Sequence, residues 1–279
     1  MHACEAGTPC QRSSLRRQND DGVQVPTSSR LSIAFRTNAT ARRTLIATGR
    51  HAPNAMPQTD DRRIAIDLSH VIEDGMITYQ GLPAPIICDF LSREASQARY
   101  ADGTEFQIGS IDMVGNTGTY IDSPFHRYAD GTDLAGLALS SLANLVCHVV
   151  DCRAWVGRAI DTLPLSAASV HGTAVLVRTG WDQHWRTDRY FQEHPHLTGR
   201  LAQWLADAGA ALVGIDSMNI DCIDTGERPV HTILLGANIP IVEHLCGLGQ
   251  LPAAGARFFA VPPKVRAFGT FPVRAFALV

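Results

Sequence analysis

The stretch Asn116-Thr-Gly-Thr-Tyr-Ile-Asp-Ser-Pro-Phe-His126 places a carboxylate and an imidazole four residues apart. Gly118 permits a backbone turn that a larger residue resists, and Pro124 stiffens the segment after Asp122. A carboxylate and an imidazole held in this way bind a metal or move protons. Taken alone, Asp122 reads equally well as a turn cap and His126 as a surface histidine. A second set lies far downstream, where Glu243 closes the apolar run 239–242 and His231 stands twelve residues before it. A carboxylate in such a setting is costly unless it meets a metal, an arginine or hydrogen-bond donors. His231 and Glu243 converge only if the chain folds back between them, and an acid closing a strand also serves as its solvated end.

Other chemistries find no support. His184, His194 and His196 lie in the Trp- and Arg-rich segment 181–196, which reads as a loop over a pocket or a contact between subunits. They lack the helical His-x-x-x-His pair of a zinc protease. His244, beside Glu243, reads as a surface residue, with support of Glu243 from behind as the alternative. No serine has a Gly-x-Ser-x-Gly context, and no Gly-rich loop matches the phosphate-binding patterns.

The elements that must position these residues begin after residue 60. Residues 64–68 alternate like a half-buried strand, and 106–114 alternate again with an irregularity near Gly109. Short apolar runs of strand length cover 146–150, 174–177, 211–215, 239–242 and 258–261, and 271–279 alternates to the C-terminus. Helical spacing is clearest over 198–208, with Leu201, Trp204 and Leu205 on one face and Gly209 ending the run. A weaker helix is expected over 134–142. Many strands and few helices predict a single α+β or β-rich domain.

The chain has 279 residues, 45% of them apolar, and a formal net charge of −3. That supports one sizeable core and gives no reason to expect nucleic acid or a membrane surface as a partner. No segment approaches the apolar length of a membrane span. The seven scattered cysteines lack the spacing of a zinc finger or a disulfide framework; Cys147 reads as a small buried residue, and the compartment as reducing and cytoplasmic. Residues 1–60 are Arg-, Ser- and Thr-rich and poor in apolar patterning, so a disordered extension is expected there. Its composition mimics a transit peptide. Met56 is the favoured start, because patterned sequence begins directly after it.

Together the two constellations resemble the cyclase family, which includes bacterial kynurenine formamidase and isatin hydrolase. Its hallmark is His-x-Gly-Thr-His-x-Asp-x-Pro-x-His, followed far downstream by a His and a Glu twelve residues apart. Asn116-x-Gly118-Thr119-Tyr120-x-Asp122-x-Pro124-x-His126 follows that pattern, as does the spacing of His231 and Glu243. Asp67-Leu-Ser, Arg178-Thr-Gly-Trp181 and Gly214-Ile-Asp216-Ser agree, and the resemblance covers residues 63–279. It implies a swivelling β/β/α-type domain over 61–279, with a β-barrel-like or layered sheet core, assembled as a homodimer or homotetramer.

For the site, the resemblance implies metal ligation by Asp122, His231 and Glu243, with His126 as general acid and base. It places Tyr79 against a small-molecule substrate. The family's two further ligating histidines are replaced by Asn116 and Tyr120. An amide oxygen is a weak ligand, and a phenol must lose a proton with an ordinary pKa near 10. One divalent metal, Zn²⁺ or Mn²⁺ first, or no metal at all, is therefore the expectation, with Asn116 and Tyr120 facing substrate as hydrogen-bonding groups. The leading function is hydrolysis of an amide or cyclic amide in a small aromatic molecule. The alternatives are a metal-free binding protein that keeps the pocket, and a lyase or cyclase of secondary metabolism.

Overall fold

The computed structural model describes residues 63–279, and the expectations for residues 1–60 and for Met56 as the start lie outside them. In chain order the strands are β1 (Ala65–Asp67), β2 (Ile86–Leu91), β3 (Ile108–Asp112), β4 (Tyr120–Asp122), β5 (Leu145–Asp151), β6 (Ala159–Ile160) and β7 (Ala174–Arg178). They continue with β8 (His196–Leu197), β9 (Leu212–Ile215), β10 (Ile241–Glu243), β11 (Ala254–Phe259), β12 (Thr270–Pro272) and β13 (Phe276–Leu278). The helices are α1 (Arg93–Gln97), α2 (Ala167–Val170), α3 (Gly199–Asp207) and α4 (Pro229–Gly236).

Nine strands form one mixed sheet in the order β1-β13-β11-β5-β7-β9-β10-β4-β12, curled into a half-barrel. Its middle, β5-β7-β9-β10, is parallel, and the outer pairings are antiparallel. The central strands read as unbroken apolar runs because both faces are covered. In β7, Ala174 and Leu176 enter one core with Leu145, Leu212, Val242 and Phe258, while Val175 and Val177 enter another with Leu201, Leu205, Val213 and Leu234. Helices α3 and α4 cover the second face. The mixed α/β architecture with a barrel-like sheet agrees with the fold expected from the sequence.

Helix α3 follows from its sequence. The Thr198 side chain accepts from the Leu201 N–H, and Leu201, Ala202 and Leu205 are buried. Replacing Thr198 by Ala strands that N–H, so the variant should lose about 1 kcal/mol. For a domain of this size that lowers the melting temperature by about 2–4 °C, which calorimetry checks.

Two expectations about elements need correction. Residues 134–142 form no α-helix; only Leu139–Ser141 makes a 3-10 turn, because Leu134 and Leu142 both anchor in the core from an otherwise irregular segment. The C-terminal run divides into β12 and β13, which pair with β4 and with β1 and β11 respectively. Helix α4 was hidden in the sequence, since apolar residues cover most of its circumference and Arg228 supplies no side-chain cap. Two pairings stand apart from this sheet, β2–β3 and the short parallel pair β6–β8. Strands β2 and β3 form a two-stranded arm that leaves Ile86, Phe90, Ile108 and Ile111 exposed, so the alternation over 106–114 does not mark a buried face.

Candidate metal centre

Strand pairing assembles the site. In β4, Tyr120 and Asp122 point to one face and Ile121, buried in the first core, to the other. The antiparallel neighbour β10 sets Glu243 opposite Tyr120 and Ile241 opposite Asp122. On the other side β12 sets Thr270 opposite Asp122. Cross-strand neighbours on one face lie within side-chain reach, so Tyr120, Asp122, Glu243 and Thr270 meet without any loop bringing them together. The turn leaving β4 continues as a 3-10 turn, Pro124–His126, which returns His126 over the strand end. Gly118, at φ +66°, turns the chain before β4, where a Cβ would strike Ile72 at 2.9 Å.

His231 arrives on the first turn of α4. Asp221 holds it there twice over. One carboxylate oxygen accepts from the Val230 N–H at 2.8 Å; the other accepts from the His231 N–H at 3.0 Å and sits 2.6 Å from His231 Nδ1. Asp221 thus caps the helix start that Arg228 leaves open and takes the Nδ1 proton. Nε2 is left facing Asp122 Oδ2 at 3.6 Å and Glu243 Oε1 at 3.8 Å. Asp221 was missed in the sequence. The signal available was Pro229 opening a helix without a capping side chain, which requires an acceptor from elsewhere.

Asp122 is fully buried. Its Oδ1 accepts from the Thr270 hydroxyl at 2.5 Å and lies 3.9 Å from His126 Nε2, while Oδ2 has no hydrogen-bond partner. Burial pushes its carboxyl up, but hydrogen bonding and the charges of His231 and His126 outweigh this and hold it below the usual carboxylate range. Glu243 is equally buried and is pushed up by desolvation and by the Asp122 charge. Burial alone would drive His231 down, yet the facing Asp122 carboxylate, the hydrogen bond to Asp221 and the Glu243 charge raise it to about 10. Two buried carboxylates therefore converge on one imidazole nitrogen and favour a positive charge between them.

Asp122, His126 and His231 offer donor atoms that all lie within 4.8 Å of one another, the one such set of three or more among the described residues. An orphaned carboxylate oxygen beside two imidazole nitrogens fits a divalent cation. Glu243 borders this set, but its oxygens are already engaged. Tyr120 donates to Oε2 at 2.6 Å, and the Ile220 N–H donates to Oε1 at 2.6 Å. Asn116 in turn hydrogen-bonds the Tyr120 phenol, which burial and the neighbouring carboxylates push well above its ordinary pKa. The two positions that lack ligating histidines thus form a chain, Asn116 to Tyr120 to Glu243.

The site floors a cleft of about 910 Å³, within the size range of small-molecule pockets. Tyr79, Asn116, Tyr120, His126, His231 and Glu243 all line it. Segment 181–196 does not line the cleft; it packs behind the site, with Trp185 stacked on His70 and Tyr190 bonded to His244. His244 is fully buried there and not at the surface as expected, and burial pushes its imidazole down to about 3. Tyr190 satisfies its Nδ1 at 2.8 Å, while Nε2 has no hydrogen-bond partner.

A family model described as "Putative cyclase" matches residues 66–222, more than half of the chain. The chain belongs to the cyclase family. A kynurenine formamidase of Bacillus cereus is 28% identical over 221 residues, covering 75% of this chain and 95% of that protein. Another, from Geobacillus thermodenitrificans, is 31% identical over 180 residues, covering 63% and 81%. Among solved structures, isatin hydrolase A from Labrenzia aggregata bound to benzyl benzoate superposes with a TM-score of 0.65 at 21% identity. The match covers 78% of this chain and 94% of that one, a likeness of fold. With relatives aligned over nearly their whole lengths, this cyclase-family chain is an enzyme of the hydrolase class.

The Asp221–His231 pair carries a prediction of its own. Partners that orient a metal-binding imidazole are worth about 10–100-fold in metal affinity or activity. Asp221→Asn keeps the size of the side chain but loses the charge beside Nδ1, and should weaken metal binding by that factor. A competition titration against a chromogenic chelator measures it; unchanged affinity would detach Asp221 from the site.

Proposed function

We propose that this protein hydrolyses an amide or cyclic amide of a small aromatic molecule, in the manner of a kynurenine formamidase, with one divalent metal. The observation that carries the reading is the buried Asp122 carboxylate beneath the cleft, whose unpartnered Oδ2 faces His231 and whose Oδ1 faces His126. In this reading Asp122 and His231 hold the metal, Zn²⁺ or Mn²⁺, and Glu243 supplies a neighbouring carboxylate. When bound, the metal polarises a carbonyl and acidifies water.

The chain's own residues do the rest. His126 is partly exposed, at 36%, and lines the cleft, so it reaches both bulk water and a bound amide. It takes a proton from the attacking water and gives one to the departing nitrogen, which cannot leave as an anion. Tyr79 forms a half-buried wall, hydrogen-bonded by Arg228, against which a flat ring packs. Tyr120 donates its only proton to Glu243, so its role is to hold that carboxylate. The same bond is why one metal, and not a pair, is proposed. A homodimer or homotetramer burying the apolar β2–β3 arm belongs to this reading.

The test is elemental analysis of protein purified without added metal, followed by turnover of N-formylkynurenine, isatin and related lactams. About one metal per chain and turnover of an amide in this set are expected. Metal-loaded protein inert towards all of them would overturn the reading.

A further inference from the structure

Thr270 is the one hydroxyl that touches both Asp122 and His126 among the described residues. Its Oγ1 lies 2.5 Å from Asp122 Oδ1 and 2.8 Å from His126 Nδ1. A threonine hydroxyl carries a single proton, and an ionised carboxylate only accepts. The Thr270 proton therefore goes to Asp122. The contact with His126 then has one remaining sense: Nδ1–H donates to the Thr270 oxygen. A neutral imidazole has one N–H, so Nε2 is left as the bare nitrogen, 3.9 Å from Asp122 Oδ1, on a residue that lines the cleft.

The backbone around Thr270 is built to keep it there. Thr270 is 4% exposed and lies in register with Asp122 across β12 and β4. The Ser123 N–H and hydroxyl both donate to the Gly269 carbonyl, at 2.8 and 3.0 Å. A Cβ at Gly269 would come within 2.6 Å of the His126 backbone, and one at Gly115 would run into the Thr270 carbonyl. Two glycines thus let three backbone segments close around this hydroxyl.

We propose that Thr270 is a positioning residue that fixes His126 in its Nδ1–H tautomer and presents a basic Nε2 to the cleft. The inference rests on the reading of His126 as the proton-transfer group. Its structural half is testable without turnover.

The experiment is ¹⁵N–¹H spectroscopy of the histidine rings in the metal-free full chain at neutral pH, with the His126 signals identified by their loss in His126→Ala. A protonated Nδ1 and an unprotonated Nε2 are expected in the wild type. In Thr270→Val, Nε2–H should appear, and kcat should fall about 10–100-fold with KM held within about threefold. Thr270→Ser restores the hydroxyl and should return both tautomer and rate. A wild-type Nε2–H, a valine variant with wild-type tautomer and rate, or a serine variant as impaired as the valine would each overturn the proposal. Should the valine variant not fold, the wild-type spectrum and the serine variant still decide. If no amide is turned over, the hydrolase reading fails while the spectrum still tests the tautomer.

Discussion

Asp122→Asn is expected to abolish both the metal-dependent stability and the activity of this protein. Asp122 is fully buried, and its Oδ2 faces His231 Nε2 at 3.6 Å with no hydrogen-bond donor. A carboxylate in that position is costly on its own and is repaid by a cation. Metal present at about a thousandfold over its Kd stabilises the fold by about 4 kcal/mol. For a domain of this size that is a rise in melting temperature of about 8–16 °C. Chelator should erase that rise in the wild type, and Zn²⁺ or Mn²⁺ should restore it. In Asp122→Asn neither treatment should move the transition. Activity should fall by roughly 10³-fold or more, since several kcal/mol of charge stabilisation is lost. The sign in the metal-free state is informative as well. There the variant should be less stable than the wild type at neutral pH, because Thr270 and the facing imidazoles hold the Asp122 carboxyl below its ordinary range, so its charge stabilises the fold and that contribution is lost with it. Thermal scans of both proteins with and without chelator measure all of this. A metal shift that survives in Asp122→Asn would place the cation elsewhere.

The sheet itself was largely legible because its centre is buried on both faces. Runs such as Ala174–Arg178 and Leu212–Ile215 have no polar face to show, so continuous apolar stretches of strand length identify them. The site was legible only where residue type and spacing coincide. Asp122 and His126 sit on one short turn, so their proximity is local. His231 and Glu243 are twelve apart, and their meeting depends on α4 packing back over β10, which no local pattern announces. Helix α4 carries Val230, Ile233, Leu234 and Leu235 around most of its circumference, so the 3.6-residue period was absent. Thr270 left no trace, and Asp221 only the uncapped helix start at Pro229, for a different reason. Each acts through a hydrogen bond whose partner lies on another strand or helix, 148 residues away for the Thr270–Asp122 pair. A lone threonine at the start of a C-terminal strand has the sequence of any edge residue. The replaced histidines show the converse. Asn116 and Tyr120 could be seen to be poor ligands from their chemistry, but that they form a chain ending on Glu243 required the cross-strand register of β4 and β10.

His126→Ala separates the two roles that the geometry allows this imidazole. As a general acid and base it contributes about 10²–10⁴-fold, all of it in the chemical step. The variant should therefore lose that factor in kcat, keep KM within about threefold, and retain its metal, because Asp122 and His231 remain with Glu243 beside them. As a third ligand it would act otherwise. Its donor nitrogen falls in the same 4.8 Å cluster as those of Asp122 and His231, and losing it would lower metal content and the chelator-sensitive melting shift together with the rate. The expected result is the first: a slow, metal-replete enzyme. Exposure favours this outcome, since His126 is 36% exposed at the cleft while Asp122 and His231 are buried. A proton-transfer group must exchange with water in every turnover, whereas a ligand is best kept from it. Steady-state kinetics and metal analysis on the same preparation decide between the roles. A His126→Ala protein that has lost its metal would move this histidine from the proton path into the coordination sphere.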